Sequence, residues 1–180
     1  MDALLVIDMQ QAYFADRLQH DADAVIARIN QVAAQIRQHQ GKIIFIQHDG
    51  DGIETEAPFT PGWEIYQGLN VESEDIKIRK VLNDAFANSS LAEFLQSNNI
   101  NRLIICGWAT DFCVDTTIRS AVSQGFDVIV LEDCHTLLDR PHLTAKQIIT
   151  HHNWVWSNLI TGNNSIEVMP ANFFLANCLP

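Results

Sequence analysis

Leu103-Ile104-Ile105-Cys106-Gly107-Trp108-Ala109-Thr110-Asp111-Phe112-Cys113 is the stretch on which the reading of this chain turns. An apolar run gives way to a glycine and a polar turn. The turn delivers a cysteine to the start of a helical pattern in which Val114, Thr117, Ile118, Ala121 and Val122 share one face. The order is strand, turn, helix, with Cys113 at or near the first helical position. A thiol placed there meets backbone N–H groups that lack intrahelical acceptors and the positive end of the helix dipole, and both favour the reactive thiolate. The alternative for the same residue is a buried cysteine behaving as a small hydrophobe.

Two further ionisable residues close strands. Ala3-Leu4-Leu5-Val6-Ile7-Asp8 is a continuous apolar run of the kind buried on both faces of a parallel sheet, and it ends in a carboxylate. Ile76-Lys77-Ile78-Arg79-Lys80 alternates apolar and charged residues and ends in an ammonium. Open α/β sheets place ligands at the carboxyl ends of their strands. Asp8 as a turn cap and Lys80 as a solvated strand end are the competing structural readings. A base, a cation and a thiol at three such ends form a constellation suited to nucleophilic chemistry.

Around these ends the pattern alternates strand and helix, which predicts a three-layer, doubly wound α/β fold with a mostly parallel sheet of about six strands. A loop is expected over 9–20, then a helix over 23–38, with Val25, Ile29, Val32 and Ile36 on its apolar face, Asp21 and Asp23 at its start and Gly41 beyond its end. Strands follow at 42–47 and 76–80, separated by an irregular segment, 48–75, long enough to suggest function. Ser90 and Glu93 have capping-box spacing ahead of a helix carrying Leu91, Phe94 and Leu95. The remaining elements are strands at 102–106, 127–131 and 166–169 and a helix over 143–159, interrupted near His151-His152-Asn153. The sequence has neither Gly-x-Gly-x-x-Gly after the first strand nor a Walker-type Gly-Lys-Ser/Thr, so the fold is Rossmann-like without a dinucleotide site. No Gly-x-Ser-x-Gly elbow is present either.

Three segments resemble the isochorismatase-like cysteine hydrolases, the superfamily of nicotinamidases and isochorismatases. They are Leu4-Leu5-Val6-Ile7-Asp8-Met9-Gln10, Lys80-Val81-Leu82-Asn83-Asp84-Ala85-Phe86, and Gly107 to Thr117 in the pattern Gly-x-x-Thr-x-x-Cys-Val-x-x-Thr. The resemblance implies a catalytic triad of Asp8, Lys80 and Cys113, a cis peptide between Trp108 and Ala109, and an oxyanion hole from the backbone N–H groups of Ala109 and Cys113. It also implies a homo-oligomer, a dimer or larger. The activity it implies is hydrolysis of a C–N bond in a small amide or cyclic amide through a Cys113 thioacyl-enzyme. Asp8 would serve as base and then acid, and Lys80 would lower the thiol pKa by its charge. The alternatives are vinyl-ether hydrolysis of isochorismate with Asp8 as the acid, a non-catalytic ligand-binding relative, and a redox-sensing thiol.

The 180 residues suit one domain, 1–180, with a substantial core: 47% are hydrophobic and 18% charged. A formal net charge of −11 argues against nucleic-acid or anionic-membrane partners. A small-molecule substrate is the expected partner. No secretory signal or membrane-length apolar run is visible, so a cytoplasmic protein is expected. Cys106, Cys113, Cys134 and Cys178 have no Cys-x-x-Cys or zinc-like spacing and are expected to be free thiols. Nicotinamidases bind a metal through an Asp and several His residues after the second strand. Here the corresponding loop offers His48, Asp49 and Asp51, without the family's Asp-x-His spacing, so no metal or other cofactor is expected. Gln10, Phe14, His48, Trp63, Trp108 and Phe112 are candidates for the substrate pocket, with core packing as the alternative for each aromatic.

Overall fold

The computed structural model describes residues 1–15, 19–51 and 55–178; residues 16–18 and 52–54, inside the two segments expected to be irregular, lie outside them. Six strands, β1 (Asp2–Ile7), β2 (Lys42–His48), β3 (Ile76–Lys80), β4 (Arg102–Trp108), β5 (Asp127–Thr136) and β6 (Ile166–Met169), form one sheet. Every pairing is parallel, and the order is β3-β2-β1-β4-β5-β6. The helices are α1 (Gln11–Phe14), α2 (Ala22–Gln38), α3 (Leu91–Ser97), α4 (Asp115–Ser123), α5 (Ala145–Ser157) and α6 (Ala171–Asn177). Among the described residues no helix is long and apolar enough to cross a membrane.

The apolar continuity of β1 follows from burial on both faces. Leu4 and Val6 point into a core with Val25, Ile29, Val32 and Ile36 of α2 and Phe174 of α6. Ala3, Leu5 and Ile7 point into the opposite core with Leu91 and Leu95 of α3, Ile118 and Ala121 of α4, and Trp156 of α5. Ile7 pairs with Ile46 on one side and Gly107 on the other, while His48 pairs with Lys80. The carboxyl ends of β1, β2, β3 and β4 therefore meet along one edge of the sheet. Strand order reverses between β1 and β4, the switch point at which such sheets open a crevice.

Several local readings change. Ser90 has φ −86° and ψ 5° and makes no side-chain cap. The N-cap geometry is an extended one, and the neighbouring Ser89 hydroxyl instead accepts the Leu91 N–H at 3.2 Å. The reciprocal capping box belongs to α5, where Thr144 (ψ 153°) and Gln147 exchange bonds. α5 also runs unbroken through His151-His152-Asn153. Asp21 precedes α2 in a left-handed conformation, without a side-chain bond to the helix. β5 continues five residues past Leu131, to Thr136, and a short α1 and a terminal α6 occupy stretches read as loop and tail.

Candidate active site

Three chain segments converge at the switch point. Asp8 follows β1 with φ 47°, its N–H bonded to Ile46 O at 2.9 Å. Lys80 ends β3. Cys113 lies in a five-residue π-type turn, Thr110–Val114, that leads from β4 into α4. Lys80 Nζ is 2.7 Å from Asp8 Oδ2 and donates to Cys113 Sγ at 3.3 Å. Asp8 and Lys80 are each 1% exposed and Cys113 is 7% exposed. The Asn83 Oδ1 atom accepts from Cys113 Sγ at 3.7 Å. The peptide bond between Trp108 and Ala109 is cis.

Burial dominates the electrostatics. It pushes the Asp8 carboxyl above its usual range, against the opposing pull of the Lys80 charge and the Cys113 thiol. It also pushes the Cys113 thiol up, with the Asp8 charge adding to the effect and Lys80 opposing it. Burial and the neighbouring carboxylate therefore oppose the thiolate that the helix start was expected to favour, and the Lys80 charge only partly offsets them. Lys80 is held above its ordinary value; desolvation works against its charge, but Asp8 and Cys113 together overcome it. Burial thus favours the protonated form of both the carboxyl and the sulfur, and the cationic Lys80 opposes it at each.

The pocket candidates separate into distinct environments. Trp108 is half-buried, stacks on Tyr13 with ring centroids 3.8 Å apart and donates its indole N–H to Gln19 Oε1 at 3.0 Å. Tyr13, missed in the sequence, donates its hydroxyl to Glu56 Oε1 at 3.0 Å. Burial raises its pKa, and the charges of Asp8, Glu56 and Cys113 add to the rise. His48 lies close enough to Asp8 to favour its charge, and its Nδ1 is buried without a hydrogen-bond partner. Gln10 is wholly buried; its amide donates to His48 O and Trp63 O and accepts the His48 N–H. This fastens the β1 turn to the end of β2 and leaves the amide bridging backbone rather than facing the crevice. Phe14 packs in the α2 core against Tyr66, with ring centroids 5.2 Å apart. Phe112 is half-exposed beneath Arg140, whose guanidinium also grips Asp111 in a two-point ion pair.

Trp63 donates its indole N–H to Asp49, and the same carboxylate takes a two-point ion pair from Arg79. Asp49 is therefore already neutralised. No cluster of three or more His, Cys, Asp or Glu side chains suited to a metal occurs among the described residues.

A thiol, a carboxylate and an ammonium gathered at the switch point of an all-parallel sheet define a doubly wound α/β protein with a cysteine-centred site. The Isochorismatase domain model matches residues 2–153, and the chain belongs to the isochorismatase family. The resemblance read from the sequence holds at that level. The chain is 30% identical over 142 residues to streptothricin hydrolase of Streptomyces noursei, covering 78% of this chain and 56% of that one. It spans about half the length of the two streptothricin hydrolases it matches, 56% and 51%. It is 29% identical over 168 residues to the ureidoacrylate amidohydrolase RutB of Pseudomonas syringae pv. syringae, covering 73% of this chain and 69% of that one. Among solved structures, an isochorismatase family protein superposes with a TM-score of 0.84 at 33% identity, covering 93% of this chain and 96% of that one.

Proposed function

We propose that this protein is a cysteine hydrolase that cleaves the C–N bond of a small amide or cyclic amide through a Cys113 thioacyl-enzyme. The observation that carries the reading is Lys80 Nζ touching both the Asp8 carboxylate and the Cys113 sulfur. The names of the relatives support the amide class.

As Cys113 Sγ bonds to the carbonyl carbon, its proton passes to Asp8. Burial raises the pKa of both groups, so the proton moves between two neighbours inside the site with no change in its net charge. The charge that develops on the carbonyl oxygen is met by the N–H groups of Ala109 and Cys113; one such donor is typically worth about 2.7–4 kcal/mol. Asp8 then returns the proton to the departing nitrogen. In the second half it accepts a proton from the water that attacks the thioester, and the sulfur regains a proton as the acid leaves. Lys80 stays cationic throughout, stabilising whichever neighbour carries the negative charge. The stacked Tyr13 and Trp108 rings form one wall for a small substrate. The reaction needs no metal in this scheme: Asp49 is paired with Arg79, and the electrophile is activated by backbone donors.

The test is turnover of primary amides, read as ammonia release, and of cyclic amides, read by mass as ring opening, with Cys113→Ala alongside. A rapid acid quench should trap an acyl group on the Cys113 peptide. Turnover that survives in Cys113→Ala, or no turnover of any amide, would overturn the proposal.

A further inference from the structure

His135 is 1% exposed and lies outside the proposed triad. Its place comes from an irregularity in the sheet. β4 and β5 pair in step up to Ile105 with Val130 and resume at Gly107 with His135, so that Leu131 to Cys134 bulge opposite Cys106 alone. The bulge lifts the imidazole level with the start of the nucleophile turn. His135 Nδ1 lies 2.9 Å from Thr110 Oγ1, and His135 Nε2 lies 3.0 Å from Asn153 Oδ1 on α5. Asn153 Nδ2 in turn donates to Glu132 O at 3.0 Å.

The direction of each bond in this chain is fixed by its last member. A backbone carbonyl only accepts, so the Asn153 amide nitrogen faces Glu132 and its oxygen faces the imidazole. That oxygen accepts, so His135 carries its proton on Nε2. Nδ1 is then an acceptor, and the Thr110 hydroxyl donates to it. Thr110 is itself fully buried and opens the turn that runs to Cys113, directly after Ala109.

We propose that His135 and Asn153 are positioning residues: a neutral imidazole, its tautomer set by Asn153, holds the Thr110 hydroxyl and with it the turn that presents the Ala109 N–H and Cys113. The inference rests on Cys113 being the nucleophile. Burial pushes the His135 pKa down to about 4, with Asn153 opposing, the His152 charge lowering it further and Asp133 raising it. Trp156 meets the ring at a steep angle, with centroids 5.1 Å apart. The imidazole is thus uncharged near neutral pH, as an acceptor for Thr110 must be. An imidazolium would donate from both nitrogens and force the hydroxyl to reverse.

Protein labelled with 15N in its seven histidines, with the His135 signals assigned through His135→Gln, reports the tautomer directly by NMR. The expected spectrum has a protonated Nε2 and an unprotonated Nδ1 at neutral pH; a protonated Nδ1 overturns the proposal without any functional variant. Thr110→Val keeps the volume and removes the donor. Alkylation of Cys113 by iodoacetamide, followed on its peptide, and amide kcat should fall together, by up to about 100-fold. KM should stay within about twofold, and Thr110→Ser should restore both rates. Wild-type alkylation and kcat in Thr110→Val would overturn the inference. Alkylation that responds to Thr110→Val in a protein that turns over no amide would sink the proposed reaction and leave the positioning role supported.

Discussion

Lys80 and Asp8 form an ion pair of 2.7 Å in which neither side chain is more than 1% exposed. Each charge favours the ionised form of the other, against the push of burial on both. Burial pushes the Asp8 pKa up, and the Lys80 charge is the largest influence holding it down. Removing one partner therefore leaves an uncompensated buried charge.

Lys80→Met is expected to destabilise the fold by about 3–5 kcal/mol near neutral pH, the usual cost of breaking a buried pair from one side. The loss should shrink as the pH falls. Without the lysine, the folded-state pKa of Asp8 rises further above its unfolded value, so the native protein takes up a proton that the unfolded chain does not, and stability is regained below the raised pKa. Urea midpoints at pH 8 and pH 5 measure this. A loss equal at both values would show that Asp8 is not the group left stranded.

The buried thiols set the alkaline limit. Cys106, Cys113 and Cys134 all have folded-state pKa values above the ordinary thiol value of 9.0, burial being the largest cause in each. Well below pH 9 both folded and unfolded thiols are protonated and nothing is lost. Above it the unfolded chain ionises first, and each thiol removes about 1.4 kcal/mol of stability per pH unit. Cys113→Ala should therefore flatten the stability profile between pH 9 and pH 10.5 by about one thiol's share. An unchanged slope would show that Cys113 ionises as readily folded as unfolded.

The sheet and the meeting of three strand ends were legible because parallel strands announce themselves as apolar runs and their carboxyl ends gather by topology. What burial does to a thiol was not legible: Lys80 can be read from the sequence, but the 7% exposure of Cys113 cannot. Capping shows the same limit. Ser90-Leu91-Ala92-Glu93 and Thr144-Ala145-Lys146-Gln147 follow one pattern, yet only Thr144 has the extended backbone that aims its hydroxyl into the helix. His135 stayed hidden because Glu132 and Asp133, polar members of the β5 bulge, interrupt the apolar run that marks the strand. The seven residues of α6 are too few to show a helical period.

Gly107 permits the approach of β4 to β1. Its φ is +124°, and a Cβ there would collide with the backbone oxygen and nitrogen of Ile7. Gly107→Ala should cost at least about 4 kcal/mol, because the strand that carries the nucleophile turn must move off its neighbour. Gly125 has φ +90°, but a Cβ added there would meet nothing within 4 Å, so Gly125→Ala should cost only the backbone strain, about 1–2 kcal/mol. Thermal unfolding of the two variants separates the contributions. Similar losses in both would mean that backbone strain, not the contact with Ile7, accounts for the glycine at 107.

Gln10 ties the turn after β1 to the ends of β2 and the following loop, and Gln10→Leu removes every one of those ties while conserving most of the volume. Trp63 O keeps a second donor, Gln47 Nε2, at 3.0 Å. The His48 N–H and C=O lose the Gln10 amide altogether. Two half-buried backbone groups that lose this partner predict a loss of about 1–3 kcal/mol. Because Asp8 and His48 sit at either end of this bridge, the variant should also raise KM for any amide found to be a substrate, and kcat should fall less than in Cys113→Ala. Stability and steady-state kinetics on one preparation test both parts. A Gln10→Leu protein that is fully stable would show that the amide is not what joins β1 to β2, and a fall in kcat alone would place Gln10 in the chemistry rather than in the frame.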